Sequence, residues 1–156
     1  MSESNLEKII LAVQKNPRYA AMDSSLVTTV ARDMLKKGFS NKETIKRTRA
    51  KLHQVGGAYQ ERHIPYDELL MKLRQLPDEL HSDEAKAFCK STMRFHRSTE
   101  ERLFLLETLY DNIFSQLPPV NSILDLACGL NPLSLPWIPA SDVTYFACDV
   151  YPEMMD

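Results

Sequence analysis

The sequence predicts an all-α N-terminal helical domain followed by the start of an α/β domain, and three observations predict it. Apolar residues recur at helical spacing, most runs opened by a capping signal, as far as Leu117. Pro118-Pro119 then closes the helical pattern, because the second proline can neither donate a backbone hydrogen bond nor let its predecessor stay helical. Beyond it, "VNSILDLAC" and "DVTYFACDV" are rich in residues that fit a pleated sheet, and a glycine turn lies between them. Charge divides the chain near the same place. All nineteen Lys and Arg lie at or before Arg102, against fourteen acidic residues, a net of +5; seven acidic residues and no base follow, a net of −7. The predicted division is therefore 1–117 and 118–156, with a basic front part suited to a polyanionic partner.

The first helix opens at Ser4 with Glu7 completing a capping box, turns Leu6, Ile9, Ile10 and Val13 to one face, and stops near Pro17. A second begins at Asp23 or Ser24, carries Leu26, Val27, Val30, Met34 and Leu35 inward, and ends at Gly38, where glycine takes the left-handed conformation cheaply. Ser40 and Glu43 repeat the box and open a third, "NKETIKRTRAKLHQV", which Gly56-Gly57 terminates. Lys42, Lys46, Arg49 and His53 share a face of it, flanked by Arg47 and Lys51. Eight basic and two acidic residues between Arg32 and Lys51 give this stretch a net of +6, enough to neutralise several phosphates. The alternative is a solvated helix face. No base-reading motif is present, so binding here would follow backbone or shape.

Further helices are expected over about Pro65–Leu76 and Asp83–Arg94, the latter capped by Ser82, with Met71, Met93 and Phe95 as core. A longer helix is then predicted from Ser98, with Glu101 completing a capping box, through "TEERLFLLETLYDNIFSQL". Leu103, Leu106, Leu109, Tyr110, Ile113 and Phe114 supply its buried face.

Cys89, Cys128 and Cys148 form no CxxC pair and no metal-ligand spacing with the four histidines, so neither a disulfide framework nor a metal site is expected. The N-terminus lacks a signal-peptide pattern and no apolar run is long enough to span a bilayer, so a cytoplasmic protein is expected.

In the second part, a buried strand, the turn "GLNP", a short connection and a second strand ending at Asp149 read as the first unit of a doubly wound sheet. Gly129 and Asp149 stand twenty residues apart, the spacing at which an acid at the end of the second strand reaches ribose hydroxyls while the glycine admits the cofactor. Without GxGxxG, a pyrophosphate cradle is disfavoured. A single glycine after an acidic strand end fits S-adenosylmethionine, with Asp125 near its methionine portion or ordering the turn. An ordinary glycine turn of an α/β protein is the alternative.

"LDLACGLNPLSLPW", with "STEERL" and "LYDNIF" upstream and "TRAKLHQVGGAY" further forward, resembles the aminoglycoside-resistance methyltransferases that modify guanine N7 at the decoding site of 16S ribosomal RNA. The resemblance spans nearly the whole chain. It implies a Rossmann-like class I methyltransferase domain, of which 118–156 is the first β-α-β portion, and S-adenosylmethionine as cofactor. It places Arg102 on the cofactor carboxylate, Ala127, Cys128 and Gly129 along its methionine side, and Asp149 on its ribose. Lys42, Lys46, Arg47, Arg49 and Lys51 would dock the helical domain on 16S rRNA in the 30S subunit. The protein is expected to act as a monomer without metal or membrane. No catalytic side chain is required, since guanine N7 is a lone-pair nucleophile with no proton to remove and positioning supplies much of the acceleration. Only two of such a domain's strands are present, so the chain reads as the N-terminal part of a longer protein and as inactive alone. The alternative function is a non-catalytic helical RNA- or ribosome-binding module with a vestigial cofactor turn.

Overall fold

The computed structural model describes residues 3–57, 64–139 and 142–155. Ala58 and Tyr59 of the "TRAKLHQVGGAY" stretch lie outside them. The described residues fall into two compact units, 3–57 with 150–154, and 64–149 with Met155.

In the first unit, α1 (Glu3–Gln14) buries Ile9 and Val13. Ser4 does not cap it, because the helix already includes Glu3 and the serine sits inside the first turn. The helix ends short of Pro17 as predicted, but Pro17 also opens a short helix, α2 (Pro17–Ala20), in which Asn16 accepts the N–H of Arg18 at 3.1 Å. Proline suits that first position, since its missing donor would have had no helical partner. Helix α3 (Ser24–Lys36) is capped by Asp23, which accepts from the N–H of Leu26 at 3.0 Å, and is followed by Gly38 at φ +78°.

Ser40 caps α4 (Asn41–Leu52), which continues into one π-helical turn, His53–Gly57. The buried side of α4 is Thr44, Thr48 and Leu52, smaller and more polar than hydrophobic periodicity would select. Ile9, Val13, Tyr19, Met22, Val27, Ala31, Leu52 and Tyr151 form this unit's core. Residues 150–154 are built into it: the N–H of Asp23 donates to the carbonyl of Val150 at 2.8 Å. A Cβ on Gly56 would lie 3.1 Å from the Tyr151 ring and 3.2 Å from Met22 and Val150, so this glycine permits the close approach.

In the second unit, α5 (Tyr66–Leu73) precedes α6 (Asp83–Met93), whose cap is Ser82 as predicted. The long helix predicted from Ser98 is instead broken into α7 (Arg97–Glu100), a 3-10 turn at Leu103–Leu105, and α8 (Leu106–Phe114). The cause lies in Arg102. Its side-chain Nε donates to the Ser98 carbonyl at 2.8 Å, the acceptor an α-helix would reserve for the Arg102 backbone N–H, which goes to Thr99 at 3.1 Å instead. Ser98 is not the cap either, since the chain enters α7 through extended backbone at His96.

Strand β1 (Ser122–Leu126) pairs in parallel with β2 (Thr144–Cys148), Asp125 opposite Ala147, and a 3-10 helix, Asn131–Trp137, lies in the connection. Ile123 and Tyr145 turn toward a core of Cys89, Met93, Leu106, Tyr110, Trp137 and Ile138. The first strand was expected to be buried. Leu124 and Leu126 are instead 66% and 67% exposed, and Phe146 of β2 56%, because no described residue covers that face. No helix among the described residues is long and apolar enough to cross a membrane.

Candidate functional site

The parallel pairing brings the ends of β1 and β2 side by side, and the turn after β1 is shaped there. Ala127 and Gly129 both take positive φ, +55° and +51°. Between them the buried Cys128 donates its N–H to the Cys148 carbonyl at 3.1 Å, extending the ladder past the strand. The N–H of Gly129 donates to Asp149 Oδ2 at 2.8 Å. The twenty-residue spacing thus becomes a direct bond between the turn and the acid. Burial, and then the carboxylates of Asp149 and Asp125, push the Cys128 thiol up to about 11, so it is a neutral packing group.

Asp125 orders the turn. Its Oδ2 accepts from Tyr145 Oη at 2.5 Å and Asn131 Nδ2 at 2.7 Å, while Asn131 Oδ1 accepts from Tyr110 Oη at 3.0 Å. Burial first, then the bond to the Asp125 carboxylate, raises the Tyr145 phenol well above its ordinary value, so it remains a donor. An open groove of about 370 Å³ beside this network runs between α8 and β1, lined by Phe114, Leu117, Leu124 and Ile138 among others. Asp125 is its only charged lining residue among those described.

Under the turn lies His96. It is 8% exposed, its Nδ1 is 2.9 Å from Ser98 Oγ, and a Cβ on Gly129 would fall 2.9 Å from its Cε1. Burial, reinforced by the charge of Arg102 and opposed by that of Asp149, holds the imidazole below its ordinary value, in the neutral form at pH 7. Arg102 itself is half-buried, anchored through Nε to Ser98.

Of the residues selected from sequence, Arg102, Asp125, Ala127, Cys128, Gly129 and Asp149 lie in this one unit, and the structure joins Gly129 to Asp149 directly. His96, Asn131, Tyr110 and Tyr145 were missed. Asn131 carried a signal, since asparagine in a glycine turn often bonds locally through its side chain. His96 carried none, because its partner Gly129 is distant in sequence.

The basic positions of α4 belong to the other unit and divide by use. Lys42, Lys46 and Lys51 are exposed. Arg47 is also exposed but pairs with Glu43 at 2.7 Å and lies over the Phe39 ring at 4.3 Å. Arg49 leaves the expected stripe: it is half-buried, and its Nη2 donates to the Ala12 carbonyl of α1 at 2.5 Å. That bond ties α4 to α1, while the Arg49 Nε is buried without a hydrogen-bond partner among the described residues.

Residues 15–156 match the family model described as ribosomal RNA methyltransferase (FmrO). The chain is 35% identical over 151 residues to a 16S rRNA (guanine(1405)-N(7))-methyltransferase of Micromonospora echinospora, covering 95% of this chain and 55% of that protein. Among solved structures it resembles the 16S rRNA methylase RmtB, with a TM-score of 0.70 and 28% identity, over 97% of this chain and 56% of RmtB. It shares a fold, at a TM-score of 0.64 and 22% identity, with the methyltransferase RmtF, solved in complex with S-adenosyl-L-homocysteine, over 99% of this chain and 56% of RmtF. The chain spans about half the length of the curated relatives it matches.

Proposed function

Because the chain belongs to the ribosomal RNA methyltransferase (FmrO) family, we propose that it carries the helical docking part and the first cofactor-binding elements of an S-adenosylmethionine-dependent enzyme. That enzyme methylates N7 of a decoding-site guanine in 16S rRNA within the 30S subunit, and aminoglycoside resistance is the outcome. The basic helical part within residues 1–117 serves docking, Arg102 excepted, and 118–156 begin a Rossmann-like class I domain that works in the cytoplasm.

The observation that carries this reading is the Gly129–Asp149 bond at 2.8 Å, which sets a glycine turn and a carboxylate together at adjacent strand ends. A carboxylate there suits the two ribose hydroxyls, and the bend through Ala127, Cys128 and Gly129 gives the methionine portion a backbone wall. Arg102, half-buried, supplies a guanidinium whose flat fork matches the cofactor's carboxylate. Asp125 acts through Tyr145 and Asn131 on the shape of the turn. Bound S-adenosylmethionine supplies an electrophilic methyl group. This chain's residues orient it, and none has to move a proton, since guanine N7 reacts through a free lone pair. Lys42, Lys46, Lys51 and Arg47 give α4 its phosphate-facing charge, while Arg49 acts by fastening α4 to α1.

The test is methyl transfer from labelled S-adenosylmethionine to purified 30S subunits, using this chain and a chimera in which the remaining residues of the Micromonospora echinospora relative follow Asp156. N7-methylguanine at the decoding site, lost in Asp149→Ala and Arg102→Ala, is the expected result for the chimera. Binding of 30S subunits by a folded chimera that transfers no methyl group would instead favour a docking module with a vestigial turn.

A further inference from the structure

We propose that His96 is a positioning residue for the cofactor turn, its imidazole setting the spacing between the Arg102 segment and the Gly129 backbone. The inference rests on the proposed function and concerns how two of its cofactor residues are held in register. A Cβ on Gly129 would lie 2.9, 3.1 and 3.2 Å from His96 Cε1, Nε2 and Nδ1, so three atoms of the ring lie against the space above the glycine Cα. Its Nδ1 meets Ser98 Oγ at 2.9 Å, and the Ser98 carbonyl holds Arg102 Nε at 2.8 Å. On the other side the Gly129 N–H holds Asp149 at 2.8 Å. Arg102, Ser98, His96, Gly129 and Asp149 therefore touch one another in an unbroken line.

A cofactor spanning Arg102 and Asp149 reads the length of that line. The ring is buried, occupies the space a Cβ on Gly129 would need, and meets Ser98 Oγ through Nδ1. Gly129 serves this packing, since any side chain there would displace the imidazole as well as strain a positive φ. The ionisable groups that act on the ring are Asp149 after β2 and Arg102 after α7. A proton on the imidazole would draw Asp149 toward the ring and away from the Gly129 N–H.

The experiment uses the isotopically labelled chimera in which the remaining residues of the Micromonospora echinospora relative follow Asp156, with S-adenosylhomocysteine as probe. The Gly129 and Asp149 amide signals should follow the titration of the His96 ring, and their indifference to it would overturn the proposal without any variant. His96→Ala should keep its melting temperature within a few degrees and its spectrum outside the site, yet bind the probe about tenfold or more weakly, the scale of loss that follows misplacement of positioned groups. His96→Phe, which keeps a ring against Gly129 but cannot meet Ser98, should recover only part of that affinity. Equal binding by folded His96→Ala removes the positioning role and leaves the proposed function standing. Failure of the unaltered chimera to bind the probe at any concentration overturns the cofactor reading, and the role of His96 with it.

Discussion

Tyr145, Asn131 and Asp125 show how single side chains shape the turn. Asp125 is held on β1 by accepting two hydrogen bonds at one oxygen, and Tyr145→Phe removes the shorter of them while leaving the carboxylate half-buried. That variant should lose about 1–2 kcal/mol of stability in urea unfolding, the worth of one hydrogen bond to a half-exposed carboxylate whose oxygen keeps its bond from Asn131. His96 adds a pH dependence whose sign follows from its lowered pKa. A histidine that binds protons less readily folded than unfolded contributes its full stability above about pH 6.5, and loses it as the pH falls toward the lowered folded-state value. Urea midpoints should therefore decline below about pH 6.5, and decline less in His96→Phe. That Gly129 and Asp149 stand at neighbouring strand ends was legible because a fixed sequence interval accompanies a strand-turn-strand unit, but their direct hydrogen bond was not. The packing of His96 on Gly129 was not, because a ring lying against bare backbone leaves no pattern in either segment.

At the level of elements, local signals were readable wherever tertiary interactions did not compete with them. Asp23, Ser40 and Ser82 each accept a backbone N–H at the start of the helix predicted for them. Asp23→Ala and Ser40→Ala should each cost about 1 kcal/mol, read as a shift in the unfolding midpoint without change in slope. Ser98 carries the same signature and does something else, because its hydroxyl meets His96 and its carbonyl meets Arg102. The capping box at Ser98 and Glu101 is present in the letters, but the Glu101 carboxylate pairs with Arg97 at 3.1 Å. Sequence periodicity followed the apolar residues through this stretch and missed the break, since a side chain taking a helical carbonyl changes no hydrophobic spacing. The parallel strands were legible as extended segments. Their exposed face was not, because a run such as "ILDL" reads as buried whether or not anything covers it.

Across the whole molecule, the charge asymmetry is what supports the proposed docking on a polyanion. Lys42, Lys46 and Lys51 are exposed on α4, so a triple alanine variant should bind 30S subunits more weakly and lower the salt slope by roughly 2, about 0.7 for each phosphate no longer neutralised. Arg49→Ala should act differently, lowering stability through the freed Ala12 carbonyl more than it changes that slope. The exposed lysines of α4 belong to one compact unit and the turn that would hold the cofactor to the other. Cofactor binding at that turn is reached by one measurement: titration of the isotopically labelled chimera with S-adenosylhomocysteine, followed through the backbone amides and the Arg102 Nε signal. The Ala127, Gly129, Asp149 and Arg102 signals should move together along a single saturating curve, and Asp149→Ala should abolish it. A folded chimera in which those signals stay still, or in which only distant residues respond, would contradict the assignment of this turn to the cofactor.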